Sequence, residues 1–323
     1  MVTLFWRIIS WFATFGLMIA GVFTGTNGAD FISKYQKTVS SVPYYTNTIE
    51  EAVPQTEIYN LIKNHLEGEL PEGKTSKKAI VIGYDGCRAD NLALINDEHA
   101  SAIRTIAEEG EVTVSYCGGV QYPRINTQAT STAPGWCSML TGAWADVHGV
   151  TDNDIPKSND HLTLLTTAVE DGTIDSSAFY VSWGGHFSGD NTTYINEKNY
   201  IEEKGLDVVF ERAGDDNGTY ANVMNDLSKD DCSDFIFSIF EFCDHVGHDT
   251  GFNHKNAAYV SAFYDAEAVG TDIINKIKAR STYDTEDWLI LITSDHGGYN
   301  TWHGGPTMQE RYTFIASNKA ITK

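Results

Sequence analysis

From Lys77 onward the chain repeats one unit: a short apolar run rich in β-branched and aromatic residues, a polar or glycine-containing loop, then a stretch with helical character. The β-rich runs fall at 79–84, 112–116, 179–183, 234–240, 288–293 and 312–316. Helical patterns fall at 100–109, where Gly110 ends the run, at 134–140 and at 257–277. Strands that alternate with helices imply a mainly parallel central sheet covered by helices on both faces. The pattern therefore predicts one α/β domain over 77–323, without internal repeats. Open α/β sheets build their sites just beyond the carboxyl ends of strands, so those are the positions to read for chemistry.

The residues ahead of this domain differ in character. Segment 26–76 is polar and carries Pro43, Pro54 and Pro71, with one amphipathic patch at 58–66. It reads as a linker and N-terminal extension (29–76) containing a short helix. Residues 1–28 hold one cation, Arg7, followed by an apolar run from 8 to 23. That run lacks a charged face and reads as a signal peptide or an uncleaved membrane anchor. It predicts an extracytoplasmic enzyme body, secreted or anchored, whose contact with membrane is through that segment alone.

Composition narrows the partners. The 323 residues are 41% hydrophobic and 20% charged, enough apolar content for a sizeable core, and the formal net charge is −22. Such a chain has no basic face for a nucleic-acid polymer. It would also repel an anionic small molecule unless bound cations reversed the sign locally. Five cysteines are too few and odd in number for a disulfide scaffold. Cys232 and Cys243 flank a strand whose ends lie roughly 20 Å apart, too far to pair. Cys117 with Cys137 is the pairing that remains open.

Four strand ends or adjacent loops carry the chemistry. In AIVIGYDGCRADNL, Asp85 closes a strand and Gly86 follows. In INTQATSTAPGWCSMLTG, Thr132 precedes Pro134, which suits a helix's first turn. A hydroxyl there feels the positive field of the helix start and has free N–H groups nearby, which suits attack on an anion. Thr130 and Ser131 compete for the same role. In FSIFEFCDHVGHDTGFNH, Asp244 and His248 follow a strand four residues apart; His245 and His254 read as surface or supporting residues. In LITSDHGGYNTWHGG, a strand delivers Asp295 and His296, with His303 shortly after. Aspartate with histidine suits a borderline divalent ion such as zinc. The six ligands divide into Asp85, Asp295 and His296 beside Thr132, and Asp244, His248 and His303. Each set leaves a coordination position open, as catalysis requires.

In this order the motifs resemble the alkaline phosphatase superfamily. Within it they are most similar to type I phosphodiesterases, the nucleotide pyrophosphatases/phosphodiesterases. The resemblance rests on Asp85-Gly86, the block TAPGWCSMLTGAWADVHGVTDN from Thr132 to Asn153, DHVGH at 244–248, SDHGG at 294–298 and the later His303. It covers about residue 77 to the C-terminus and implies an alkaline phosphatase-like fold. It implies that Thr132 is the nucleophile and also contacts the first of two zinc ions, that the two sets hold those ions, and that Asn153 donates its amide to a phosphoryl oxygen. The implied reaction cleaves phosphodiester or pyrophosphate bonds of nucleotide-type small molecules through a covalent phosphothreonine, which water then hydrolyses. Phosphomonoester hydrolysis, headgroup transfer and a non-catalytic binding role are the alternatives.

Departures from the family pattern matter too. Ala133, Pro134 and Gly135 are small where relatives carry bulkier or amide groups, which opens the pocket. Cys137-Ser138-Met139 does not match the sulfatase pattern. Arg88 and Arg124 are the nearest candidates for the extra cations of a monoesterase. Segment 154–233 falls where relatives carry a cap, and Tyr180, Trp183, Phe187 and Tyr194 could supply stacking surface there.

Overall fold

The computed structural model describes residues 52–96, 98–119 and 127–321. The expected signal peptide or anchor, the extension up to residue 51, and Arg124 lie outside the described residues. No helix among the described residues is long and apolar enough to cross a membrane.

An eight-stranded sheet forms the centre, in the order β1-β3-β8-β7-β2-β6-β4-β5. The strands are β1 (Val53–Pro54), β2 (Ser76–Tyr84), β3 (Glu111–Tyr116), β4 (Ser177–Val181), β5 (Val208–Arg212), β6 (Phe235–Phe240), β7 (Glu286–Thr293) and β8 (Tyr312–Ser317). The helices are α1 (Glu57–Glu67), α2 (Ala102–Ala107), α3 (Thr132–Thr141), α4 (Ala145–His148), α5 (Leu164–Glu170), α6 (Ile195–Lys204), α7 (Asp216–Asp226), α8 (Phe242–Thr250), α9 (Ala257–Lys278) and α10 (Met308–Arg311). All pairings are parallel except those of β8, which runs antiparallel to both β3 and β7.

Alternation along the central strands feeds two cores. Ile80, Ile82, Ile290, Ile292, Ile236 and Phe240 face one layer, with α2, α7 and α9 over them. Ala79, Val81, Leu289, Leu291, Phe237 and Ile239 face the other, under α1, α3, α5 and α6. A strand buried on both sides must be apolar at successive positions, which is why these runs lack polar alternation. The long helix α9 begins at Asn256, whose side chain accepts the Ala258 N–H, and ends with Lys276 and Lys278 at its negative pole.

Three expectations need correction. The extension is more than a linker: Ile58, Ile62 and Leu66, spaced by four, bury one face of α1 in the second core. Segment 154–233 holds β4, β5 and α5–α7, and its strands extend the main sheet from β6 instead of standing apart as a cap. Its edge strand β5 escapes sequence reading because its apolar run is only three residues, Val208-Val209-Phe210, and Val209, Glu211 and Arg212 are exposed. Finally, Cys117 and Cys137 do not pair; all five cysteines are buried free thiols.

Candidate active site

Sheet register brings the acidic residues level. β2 pairs with β7 so that Gly83 faces Thr293, and with β6 so that Tyr84 faces Phe240. Two residues past the first pair come Asp85 and Asp295; one past the second come Asp85 and Glu241. Three neighbouring parallel strands thus deliver carboxylates to one edge. Two glycines allow the closeness. Gly86 has φ +65°, and a Cβ there would lie 2.8 Å from the Asp244 Cα. A Cβ on Gly135 would lie 2.8 Å from the Asp295 Cβ, so α3 can press its first turn onto the end of β7.

Asp85, Asp295 and His296 come together, with ligand atoms within 4.8 Å of one another. His296 Nε2 lies 3.4 Å from Asp85 Oδ1 and 3.3 Å from Asp295 Oδ2. It lies 3.4 Å from Thr132 Oγ1. Its Nδ1 is 2.7 Å from the Gly297 carbonyl, which can only accept, so Nδ1 carries the proton and Nε2 presents a lone pair.

The second set follows the same rule. His248 Nδ1 meets the Thr301 carbonyl at 3.0 Å, and His303 Nδ1 meets the Thr130 carbonyl at 3.1 Å. The two Nε2 atoms then face each other at 3.1 Å. Asp244 oxygens lie 3.4 Å from His248 Nε2 and 3.7 Å from His303 Nε2. The sets are less separate than the sequence reading divides them: Asp244, His296 and His303 also form a ligand group, and the His296 and His303 rings stack at 4.0 Å.

These groups fit divalent cations. Asp85 Oδ1, Asp244 Oδ1 and Asp295 Oδ2 are buried without a hydrogen-bond partner. Lone pairs of imidazole and carboxylate converge there with no donor between them, a costly arrangement unless positive charge binds. Burial, then Asp295 and Asp244, push the Asp85 carboxyl well above the carboxylate range. Burial and Asp244 do the same to Asp295. Burial raises Asp244 to about 6. Burial and His303 push His296 well down, and burial with His248 lowers His303 to about 4. Asp85, Asp244, Asp295, His296 and His303 are thus driven toward neutrality, because burial penalises charge that nothing in the cluster fully compensates.

Thr132 is the first residue of α3, which starts two residues earlier than Pro134 marks; Pro134 sits within the first turn, where its missing N–H costs nothing. Of the three competing hydroxyls, Thr132 lines the cavity. Thr130 is engaged, donating to the Gly305 carbonyl at 2.8 Å and accepting the Gly304 N–H at 3.0 Å. Ser131 is the N-cap residue of α3. Asn153 Oδ1 accepts the Ala133 N–H at 2.9 Å, which leaves the donor end of its amide for the cavity it lines.

The other residues weighed for the site are engaged by neighbours or buried, although His245 and Trp183 line the same cavity. Arg88 binds Asp90 and the Phe252 carbonyl. His245 pairs with Glu241 at 2.7 Å, and His254 with Asp90 at 2.9 Å. Tyr180, Phe187 and Tyr194 are buried, whereas Trp183 is half-buried and lines the site. Two participants escaped sequence reading. Trp136 donates its indole N–H to Asp85 Oδ2 at 3.0 Å. Glu241 lines the cavity from the end of β6 and accepts the Ser182 hydroxyl at 2.8 Å. Its place three residues before Asp244, at a strand end, was the available signal.

The cavity at this cluster measures about 220 Å³ and is bounded by Asp85, Thr132, Asn153, Trp183, Asp244 and His303, among others. A second cavity of about 350 Å³ shares Trp183, Glu241 and His245 with it and continues past Arg212 and Asp216.

Known structures resemble this chain in fold, and one family model matches it. No curated protein is significantly similar in sequence. Among solved structures, murine ectonucleotide pyrophosphatase/phosphodiesterase 5, as an inactive variant in complex with AMP, superposes with a TM-score of 0.51 at 18% identity. The match covers 69% of this chain and 57% of that one. The chain therefore spans little more than half the length of that relative. A putative sulfatase from Bacteroides thetaiotaomicron matches at a TM-score of 0.51 and 14% identity, over 75% of this chain and 64% of its own. At these identities the likeness concerns the fold, which is α/β and alkaline phosphatase-like. The family model for type I phosphodiesterase/nucleotide pyrophosphatase matches residues 79–303, a span that contains every candidate ligand, so the chain belongs to that family.

Proposed function

We propose that the chain is a two-metal hydrolase of phosphodiester or pyrophosphate bonds in nucleotide-type small molecules, working through a phosphothreonine at Thr132. The observation that carries this reading is the convergence of unpartnered carboxylate oxygens and bare imidazole nitrogens around one hydroxyl at the start of a helix. Asp85, Asp295 and His296, with Thr132, would hold one divalent ion, and Asp244, His248 and His303 the other; the mixed N/O donor set favours Zn2+. When bound, such ions lower the hydroxyl pKa and neutralise charge on the attacking and leaving oxygens.

This chain's own residues do the rest. Thr132 Oγ1, set against His296, attacks phosphorus and loses its proton; the P–O bond to the leaving alcohol breaks, and that oxygen takes up a proton. Water then attacks the same phosphorus and the Thr132 Oγ–P bond breaks. The Asn153 amide, oriented by the Ala133 N–H, donates to a non-bridging oxygen throughout. A diester is preferred to a monoester because Arg88, the described candidate for an added cation, is held by Asp90. We read the enzyme body as extracytoplasmic from the apolar run at 8–23.

Thr132→Ala tests the reading. In zinc-loaded protein it should keep its metal and lose turnover of an aryl phosphodiester by about 10⁴-fold or more. Mass spectrometry of quenched wild-type enzyme should place phosphate on Thr132. Phosphate on Thr130 or Ser131 would move the nucleophile, and full activity in the variant would end the covalent mechanism. A higher rate on the aryl monoester than on the diester would replace diesterase with monoesterase.

A further inference from the structure

The catalytic cavity, at about 220 Å³, is below the size of pockets that enclose drug-sized ligands. It holds a phosphoryl group, and both substituents of a diester must leave it. One exit leads past Trp183 into the second cavity. Another wall is made by His248 and His303, and beside them, just outside the cavity lining, stands the most exposed large aromatic among the described residues. Trp302 is 71% exposed and Tyr299 49%.

Their turn is built rigidly. Tyr299 and Trp302 exchange backbone hydrogen bonds of 2.8 and 3.1 Å. Between them Asn300, at φ +55°, is the one non-glycine residue with positive φ among the described residues. The Asn300 carbonyl accepts the Phe252 N–H at 2.7 Å, and the Thr301 carbonyl accepts His248 Nδ1–H at 3.0 Å, so the turn is tied to α8 and to a candidate ligand. The Trp302 ring lies nearly parallel to His303, at 12°, and meets His248 edge-on at 5.1 Å. The indole is therefore seated beside the ligand histidines with most of its surface open to solvent.

We infer that Trp302 is the leaving-group platform of this site, and that the preferred substrates are phosphodiesters whose leaving alcohol carries a planar aromatic group. The inference rests on the hydrolytic reading above. In an in-line displacement the leaving oxygen stands opposite the nucleophile. Thr132 lies against His296, so the leaving oxygen faces the Asp244, His248 and His303 side and its substituent emerges beneath Trp302. The retained substituent turns toward Trp183. A fixed indole with most of its surface open stacks a planar group without first ordering a loop, so little of the stacking free energy is lost to rearrangement.

The test compares zinc-loaded wild type, Trp302→Phe and Trp302→Ala on methyl phenyl phosphate and methyl trifluoroethyl phosphate. Trp302→Ala should lower kcat/KM about tenfold for the aryl ester, chiefly through KM, and leave the alkyl ester within about twofold, with Phe restoring most of the aryl rate. Equal losses on both esters would make Trp302 a support for His303 only, and no loss on the aryl ester would leave the indole idle; either overturns the inference. Binding is measured separately by calorimetry in the Thr132→Ala background, with methyl phenyl phosphate against dimethyl phosphate. The phenyl preference should be present with Trp302 and absent with Ala there, and its absence with Trp302 present also overturns the inference. If neither ester is hydrolysed by any form, the hydrolytic reading fails, and the calorimetry still decides whether Trp302 takes the aromatic group.

Discussion

The central strands β6 and β7 have carboxylates at both ends, and the two ends treat them oppositely. At the amino-terminal end Asp234, just before β6, binds Lys78 of β2 at 2.7 Å. Asp287 of β7 binds Lys77 at 2.7 Å and also pairs with Lys319. Glu286 binds Arg280 at 2.7 Å. At the carboxyl-terminal end no lysine or arginine pairs with Asp85, Asp244 or Asp295 among the described ion pairs; neutral N–H groups of Trp136 and Gly86 reach one oxygen each of Asp85 and Asp295, and bare imidazole nitrogens face the rest. Lysines and the arginine hold Asp287 and Glu286 below their ordinary values despite burial. Burial pushes the other three up, joined by Asp295 and Asp244 at Asp85 and by Asp244 at Asp295. One end of the sheet is electrostatically complete and serves stability. The other lacks matching positive charge, which the proposed cations would supply.

The contrast can be broken in several ways. The largest expected effect is on activity: Asp295→Asn should remove metal and at least about a thousandfold of turnover together, whereas Asp287→Asn should spare both. Full metal content in the first variant would refute its assignment. Next, stripping metal with a chelator should lower the thermal midpoint, and zinc at a hundred times its dissociation constant should restore about 2.7 kcal/mol per site. An unchanged midpoint would mean that the carboxyl-terminal end needs no cation to be stable.

In metal-free protein the two asparagine variants should then move stability in opposite directions, by about 1–3 kcal/mol each. Asp295 has a raised native pKa, so the folded state takes up a proton that the unfolded state releases, and stability falls as pH rises above the unfolded value. Asn removes that loss, so its gain should be present at neutral pH and vanish below about pH 3, where both states are protonated. Asp287 has a lowered native pKa, so its contribution is present at neutral pH and lost in acid; Asn should destabilise at neutral pH. Urea titrations at both pH values decide, and a shared sign would dissolve the contrast.

The smallest effect concerns Glu267 on α9, buried against Tyr84 and Ser101 and raised by burial to about 7. Its folded-state pKa lies above its unfolded value, so stability is lost as pH climbs from about 4.5 to about 7. Glu267→Gln should flatten that slope and stabilise by about 1–2 kcal/mol at pH 8. An unchanged slope would show the carboxyl is already ionised at no cost.

Much of this was legible in the chain. The β-branched runs at 79–84, 234–240 and 288–293 were plain because their strands are buried on both faces, and a strand end followed by Asp-Gly or Asp-His is a conspicuous break. Less legible was whatever depends on exposure or on register. The edge strand β5 has an apolar run of only three residues, and α8 starts so soon after β6 that its Asp244 and His248 read as loop residues. The antiparallel direction of β8 leaves no mark in its composition. Likewise, spacing along the chain could list six ligands but not show that His296 stands between both groups, since that follows from ring stacking with His303.

The glycine after β2 sets a boundary on what this site can become. With no room for even a methyl between Gly86 and the Asp244 backbone, the β2 loop and the start of α8 touch main chain to main chain. The gauge between the two ligand sets is thus fixed by covalent skeleton, beyond the reach of side-chain exchange. New specificities must be written at the rim, on the turn that ends in Trp302 or the wall at Trp183, while the inner spacing stays as the sheet dictates.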